Sequence, residues 1–307
     1  MTFAEVYAAW KTEYSKKVKP NSFSTYVFLI EKHFLPYLAE KGPITEDDVN
    51  MIHETILSGG SKEKTTQECI KLLMRILRFA GEKGWWPKPT WEMSYKPIKP
   101  KGTFRLMSKK EQRAILNYIR TERTPRNVGF YIAMTTGVTL GELCNLTWQD
   151  IDVKNKVLHI RGSIIVYTEI GQEGEANKWT LSQDPESSNR DIPLAPEQLE
   201  FLGAEEGRHL PEVFIMSNAI EPSSPRVVRF SFNTLCEKLN ITGVQYKDLR
   251  HNFAVCCLQS GCDYASLALL LGTTHLTRLC SLYDKYAIKS PRKYMGLMMA
   301  DLVNGKN

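Results

Sequence analysis

The strongest constraint on the fold is the point at which the hydrophobic period changes. Up to about residue 95, apolar residues recur only at three- and four-residue spacing, the mark of helices with one buried face. Phe3, Val6, Tyr7, Trp10 and Tyr14 form such a face in "FAEVYAAWKTEYSKK". "SFSTYVFLIEKHFLPYL" predicts a second helix, and "TEDDVNMIHETIL" a third, opened by Thr45 with acids in its first turn. "SGGSKEKTTQECIKLLMRILRFAGEKG" predicts a fourth, with Cys69, Leu72, Leu73, Ile76, Leu77 and Ala80 as its stripe and Gly81 and Gly84 near its end. Alternation begins only past residue 150, in "KVLHIRGSIIVYTEI" and "SNRDIPL", with the polar "GQEGEANKW" between them. Helical text resumes in "APEQLEFLG", "FSFNTLCEKL", "YKDLRHNFAVCCLQSG" and "DYASLALLLG". The expected class is therefore mainly α with a small antiparallel sheet (α+β): a helical bundle followed by a mixed domain.

Between the two lies "KPIKPKGTFRLMSKKEQR", in which Lys96, Lys99, Lys101, Arg105, Lys109, Lys110 and Arg113 face the single acid Glu111. Pro97, Pro100 and Gly102 keep its first half extended. Such a strap is either a solvated interdomain linker or a phosphate-contacting one. Ser108 and Glu111 then form a capping box that starts a new helix. The expected organisation is a helical domain over 1–95, a basic linker over 96–104 and a second domain over 105–307, ending in a helix capped by Ser290 with Pro291 at its first position.

Composition narrows the functions. A net charge of +6 permits a polyanionic partner without requiring one. The opening "MTFAEVYAAWKTEY" does not read as a signal peptide, and no apolar run approaches a membrane span, so a cytoplasmic protein is expected. Seven cysteines without a CxxC pair fit reduced thiols better than disulfides or zinc. Cys256, Cys257 and Cys262 read as core positions, and no metal or cofactor motif is present. Glu169, Glu173 and Glu175 mark a solvated hairpin tip.

Four separated segments, "TTGVTLGELCNLTWQDIDVKNKVLHIRG", "SSNRDIPL", "YKDLRHNFAV" and "LLLGTTHLTRLCSLYDKYA", occur in an order and spacing that resemble the tyrosine recombinase (phage integrase) family, closest to integrases of phages and integrative elements of Gram-positive bacteria. The resemblance covers nearly the whole chain. It implies a core-binding helical domain (SAM-like) and a catalytic domain that clamp double-stranded DNA, with the strap across the backbone. It also implies metal-free chemistry: a tyrosine attacks a phosphodiester, two arginines and a histidine or tryptophan hold the charge on the phosphorane, and a hairpin lysine protonates the leaving oxygen.

Carried over residue by residue, the resemblance places the second arginine at Arg250, the adjoining cation at Lys247 and the nucleophile at Tyr283, with Tyr286 as runner-up. His251, directly after Arg250, takes a structural role. At three positions the expected group is replaced. Thr139 stands where the pattern TG-x-R-x-GEL has its first arginine, Asp184 where an ungapped count puts the hairpin lysine, and Thr273 where the family has a histidine. Lys178 is a substitute for the lysine only if the hairpin pairs in another register. His275 lies two residues past Thr273, the wrong face if both are on one helix. Gly137, Glu142, Leu143, Arg190, Pro193, Leu249, Arg250 and Gly272 keep the family's scaffold.

The resemblance and its gaps together predict a DNA-binding protein of this family whose strand transfer is impaired or absent, acting as a regulator or accessory protomer. Lys96, Lys99, Lys101, Arg105, Lys109, Lys110 and Arg190 are the expected DNA contacts. The alternative is an active site-specific recombinase using Tyr283, with Lys178, His275 or a partner's residues filling the gaps. The family's last helix docks on a neighbouring protomer, so Met298, Met299 and Leu302 serve either assembly with a like or unlike chain on DNA, or packing on their own domain.

Overall fold

The computed structural model describes residues 1–18, 20–91, 93, 104–171, 174–182, 189–287, 295, 298 and 299. It divides into two compact units, Met1–Gly102 with Ile165–Thr180, and Thr103–Ile164 with Leu181–Asn307. No described helix is long and apolar enough to cross a membrane.

In the first unit, α1 (Phe3–Tyr14), α2 (Pro20–His33), α3 (Leu35–Leu38), α4 (Glu46–Ser58) and α5 (Glu63–Glu82) enclose one apolar core. The stripe read along α1 is buried at Phe3, Val6, Tyr7 and Trp10, and Trp10 stacks on Tyr14 with centroids 4.5 Å apart. Thr2 and Glu5 close α1, and Thr45 and Asp48 close α4, each as a reciprocal capping box. The expected second helix is two: the ladder breaks at Phe34, ahead of Pro36, which has no N–H to donate. All six positions read as the α5 stripe are buried.

The second unit begins with α6 (Lys109–Thr121), closed by the Ser108–Glu111 box, then α7 (Pro125–Thr136) and α8 (Leu140–Asn145). The strands β1 (Ile151–Asp152), β2 (Val157–Ile160) and β5 (Arg190–Pro193) follow, whereas β3 (Ser163–Gly171) and β4 (Gly174–Ser182), between β2 and β5 in the chain, belong for the most part to the first unit. β2 lies between β1 and β5, antiparallel to both, with Leu158 opposite Ile151 and Ile192, and Ile160 opposite Arg190. Leu158, Ile160 and Ile192 turn to the core, so the other side of this sheet is the wet one. β3 and β4 form a separate two-stranded sheet. Much of the segment expected as a polar connection is strand β4, because ladder pairing overrides the weak strand preference of "GEANK". Glu169 and Glu175 lie on β3 and β4, and Glu173 falls outside the described residues.

The unit closes with α9 (Pro196–Gly203), α10 (Pro225–Lys238), α11 (Tyr246–Gln259), α12 (Tyr264–Leu271), α13 (Leu276–Tyr283) and a 3-10 turn over Asp284–Tyr286. α10 starts five residues before the segment read as helical, capped by Ser224 with Pro225 at its first position. Ser290 and Pro291 lie outside the described residues, and Met295, Met298 and Met299 are exposed.

Gly137 and Gly272 end α7 and α12 in the left-handed region, at φ +67° and +61°. A Cβ on Gly272 would stand 2.7 Å from Arg190 Nη1. Gly272→Ala therefore meets both backbone strain and a buried guanidinium, and should cost about 1–3 kcal/mol. Gly207→Ala is the control, with φ +74° and nothing within 4 Å of the added carbon. The urea midpoint of Gly272→Ala should fall clearly below that of Gly207→Ala; equal midpoints would contradict the close fit.

Candidate active site

The chain leaves α7 through left-handed Gly137, passes Val138 and enters α8 at Thr139. Thr139 is the N-cap. Its hydroxyl oxygen accepts from Glu142 N at 3.3 Å, and its own N–H donates to Glu142 Oε2 at 2.7 Å. The signal is local, a T-x-x-E capping box inside "TLGE". Thr139 thus closes the start of a helix with both its hydroxyl and its backbone N–H.

Glu142 is buried and does more than cap. Arg190 holds it with Nη1 to Oε1 at 2.7 Å and Nη2 to Oε2 at 3.2 Å, and Arg250 Nη1 lies 3.9 Å from Oε2. Burial alone would raise its pKa, but the Arg190 hydrogen bonds and charge, the Thr139 N–H and Arg250 together hold the carboxyl below the ordinary range. Arg190 also donates from Nε to Leu270 O at 2.8 Å. The structure therefore corrects one expected DNA contact: the Arg190 side chain is only 7% exposed and turned inward onto Glu142.

Arg250, on α11, donates to Gly137 O at 2.8 Å and Leu271 O at 2.5 Å, pinning the turn before α8 and the end of α12. It lines a cavity of about 680 Å³ together with Thr139, Lys247, His251, Arg229 and Asn233. The exposed Lys247 sits one turn before Arg250 on the same helix. Arg229 and Asn233 are not among the expected contacts. Their signal was the i, i+4 spacing on α10, whose first turn the apolar pattern did not reveal.

Tyr283 is 3% exposed, at the end of α13, within the apolar cluster of Val255, Leu258, Leu267 and Leu271. Its hydroxyl is 2.6 Å from His251 Nδ1, and Phe104 stacks flat on that imidazole at 4.2 Å. Burial raises the tyrosine pKa against the pull of Arg250 and Arg278, and burial lowers that of His251. Both shifts favour the neutral forms, so the contact is a hydrogen bond between a neutral phenol and a neutral imidazole rather than an ion pair. Tyr286 is half-buried in the following 3-10 turn, 5.9 Å from the Phe104 ring.

Residues 273–275 lie between α12 and α13 and are not helical, so the objection that His275 occupies the wrong helical face does not hold. His275 N donates to Thr273 Oγ1 at 3.3 Å, and the His275 side chain is exposed. Asp184, Lys96, Lys99 and Lys101 fall outside the described residues; Lys178 is on β4. Arg105 is committed to Glu111 at 2.6 Å, an ion pair that holds Glu111 down to about 2. Lys110 is exposed, and the Lys109 ammonium lies 3.6 Å from Cys256 Sγ.

The phage integrase family model matches residues 105–287, and the family's N-terminal SAM-like domain matches residues 2–42. The chain belongs to the phage integrase family. Similar members include tyrosine recombinase XerA of Thermococcus onnurineus, 22% identical over 89% of this chain and 88% of that protein. The ICEBs1 integrase of Bacillus subtilis is 21% identical over 93% of this chain and 79% of that protein. A tyrosine recombinase XerC-like protein of Caldanaerobacter subterraneus subsp. tengcongensis is 25% identical, but the match spans 50% of this chain and less than half, 44%, of that relative. Among solved structures, the Tn1549 transposon integrase in complex with a circular intermediate DNA superposes with TM-score 0.71 at 17% identity, over 98% of this chain and 99% of that one. A lambda integrase tetramer bound to a Holliday junction gives 0.65 at 15% identity, over 95% and 80%. The family fold thus extends through both units of this tyrosine recombinase.

The Glu142 pair makes an acid-sensitive prediction. A carboxyl held below the ordinary glutamate value of 4.5 stabilises the fold above that value and loses its contribution as pH falls through the folded-state pKa. Glu142→Ala should cost about 3–5 kcal/mol at pH 7, since it strands a buried guanidinium. Glu142→Gln should show a smaller drop in melting temperature between pH 6 and 4 than the unaltered chain; equal drops would place the acid sensitivity elsewhere.

Proposed function

We propose that this tyrosine recombinase binds duplex DNA with strand transfer impaired or lost, and that it acts as a regulator or as an accessory protomer beside a partner that cuts. The observation that carries the reading is Thr139 as a helix cap. A short neutral hydroxyl, already accepting from the Glu142 N–H, stands where transition-state stabilisation calls for a fixed bidentate charge. Removing one such donor typically costs roughly 10²–10³ in rate. Asp184 and Thr273, matched to a lysine and a histidine of the family pattern, deepen the deficit, although such losses do not simply multiply.

The burial of Tyr283 and its tie to His251 support the same reading, since attack needs the phenol free and close to a phosphorus. Binding to DNA is supported by Lys247 and Arg250 on one cavity, and by the shared fold with Tn1549 and lambda integrases solved on DNA. The exposed Met295, Met298 and Met299 suit a C-terminal helix that docks on another protomer.

A nicked duplex that traps any covalent intermediate tests the reading. The unaltered chain should leave no more protein–DNA adduct than Tyr283→Phe, yet bind the duplex with an affinity that falls steeply as salt rises. An adduct that disappears only in Tyr283→Phe, or only in Tyr286→Phe, would instead establish an active recombinase and identify its nucleophile.

A further inference from the structure

The cavity beside Arg250 holds a guanidinium that the family pattern does not account for. Arg229 extends from α10 with an exposed side chain and makes no hydrogen bond or ion pair among the described residues. With Lys247 and Arg250 it brings three cations to about 680 Å³ of space, and no carboxylate among the described residues lines that space. The nearest acid to Arg250, Glu142, is drawn toward Arg190 at 2.7 Å rather than toward Arg250 at 3.9 Å. Asn233, one helical turn beyond Arg229 on the same face of α10, adds an amide donor to the same wall. Thr139 lines the cavity too, so the position that lost its arginine and the arginine gained from α10 face one volume.

We propose that Arg229 supplies the guanidinium missing at position 139, so that a DNA backbone phosphate in this cavity is held by Arg229, Lys247 and Arg250. The inference rests on the DNA-binding reading above and names the contact that sustains it. A planar guanidinium can meet two phosphate oxygens at once, which a threonine hydroxyl cannot. Delivered from α10 rather than from the α7–α8 turn, it strengthens the grip on phosphate while Thr139 keeps its role as a cap.

The test is fluorescence anisotropy of a mixed-sequence duplex over a range of salt concentrations. Arg229→Ala and Lys247→Ala should each weaken binding by about tenfold to a hundredfold. Each should also reduce the slope of log affinity against log salt by about 0.9, the loss of one phosphate contact. Thr139→Arg placed in the Arg229→Ala background should restore affinity and slope, because the two guanidiniums would serve one phosphate. The same rescue should fail for Arg226→Ala, which lies on α10 outside the cavity lining. If Arg229→Ala binds like the unaltered chain while Lys247→Ala is weakened, the assignment of Arg229 is wrong and the DNA-binding reading stands. If Thr139→Arg does not rescue Arg229→Ala, while circular dichroism shows the double variant folded, the two positions do not share a phosphate and the proposal falls. If the unaltered chain does not bind duplex even at low salt, both are overturned.

Discussion

The second unit is organised around one buried carboxylate. Glu142 takes the Thr139 N–H that starts α8, two hydrogen bonds from Arg190 on β5, and the nearby charge of Arg250 on α11. Arg190 reaches on to the end of α12, and Arg250 ties that end to the turn before α8. A lone buried carboxylate would be prohibitive; between two guanidiniums it becomes the reason four elements meet where they do. Two guanidiniums on one carboxylate also leave a positive charge in excess, and geometry places that excess on Arg250, at the wall of the cavity. The left-handed turn at Gly272 follows from the same centre, since a side chain there would strike Arg190.

On the proposed reading, that arrangement separates gripping a phosphate from transferring it. Gripping needs cations facing an open volume, and Arg250 and Lys247 meet that need. Transfer further needs charge fixed at the turn that Thr139 occupies, a proton donor for the leaving oxygen and a nucleophile free to approach. Thr139 is occupied with a helix end, and the Tyr283 phenol is sealed against His251 beneath Phe104. His251 therefore matters for what it holds, a tyrosine kept in the apolar cluster of α11, α12 and α13.

Much of this could be read from residue spacing, because the relevant forces act within a few residues. The α1 and α5 stripes, the Ser108–Glu111 box and the strand alternation around Leu158 and Ile192 are local patterns, and each stands in the structure as expected. The differences arise where a local signal was outweighed. Pro36 split one helix into two, and pairing with β3 made strand out of polar β4. Contacts between distant residues left no trace in spacing. Nothing near Tyr283 announces His251, 32 positions away, and nothing near Arg190 says that its charge is spent inward on Glu142. Arg229 escaped notice for a mixed reason: its helix begins at a Ser-Pro pair five residues before the apolar rhythm becomes regular.

On the proposed reading, strand transfer fails because positions 139, 184 and 273 carry threonine, aspartate and threonine in place of the arginine, lysine and histidine of the family pattern, and Arg229 restores the grip on phosphate without restoring transfer. The reading is tested most directly by restoring those groups together, as Thr139→Arg, Asp184→Lys and Thr273→His, and measuring the rate of covalent adduct formation on a nicked duplex. The account predicts an adduct in the restored chain, lost again on adding Tyr283→Phe, and none in the parent. A parent that cleaves as fast as the restored chain would contradict it.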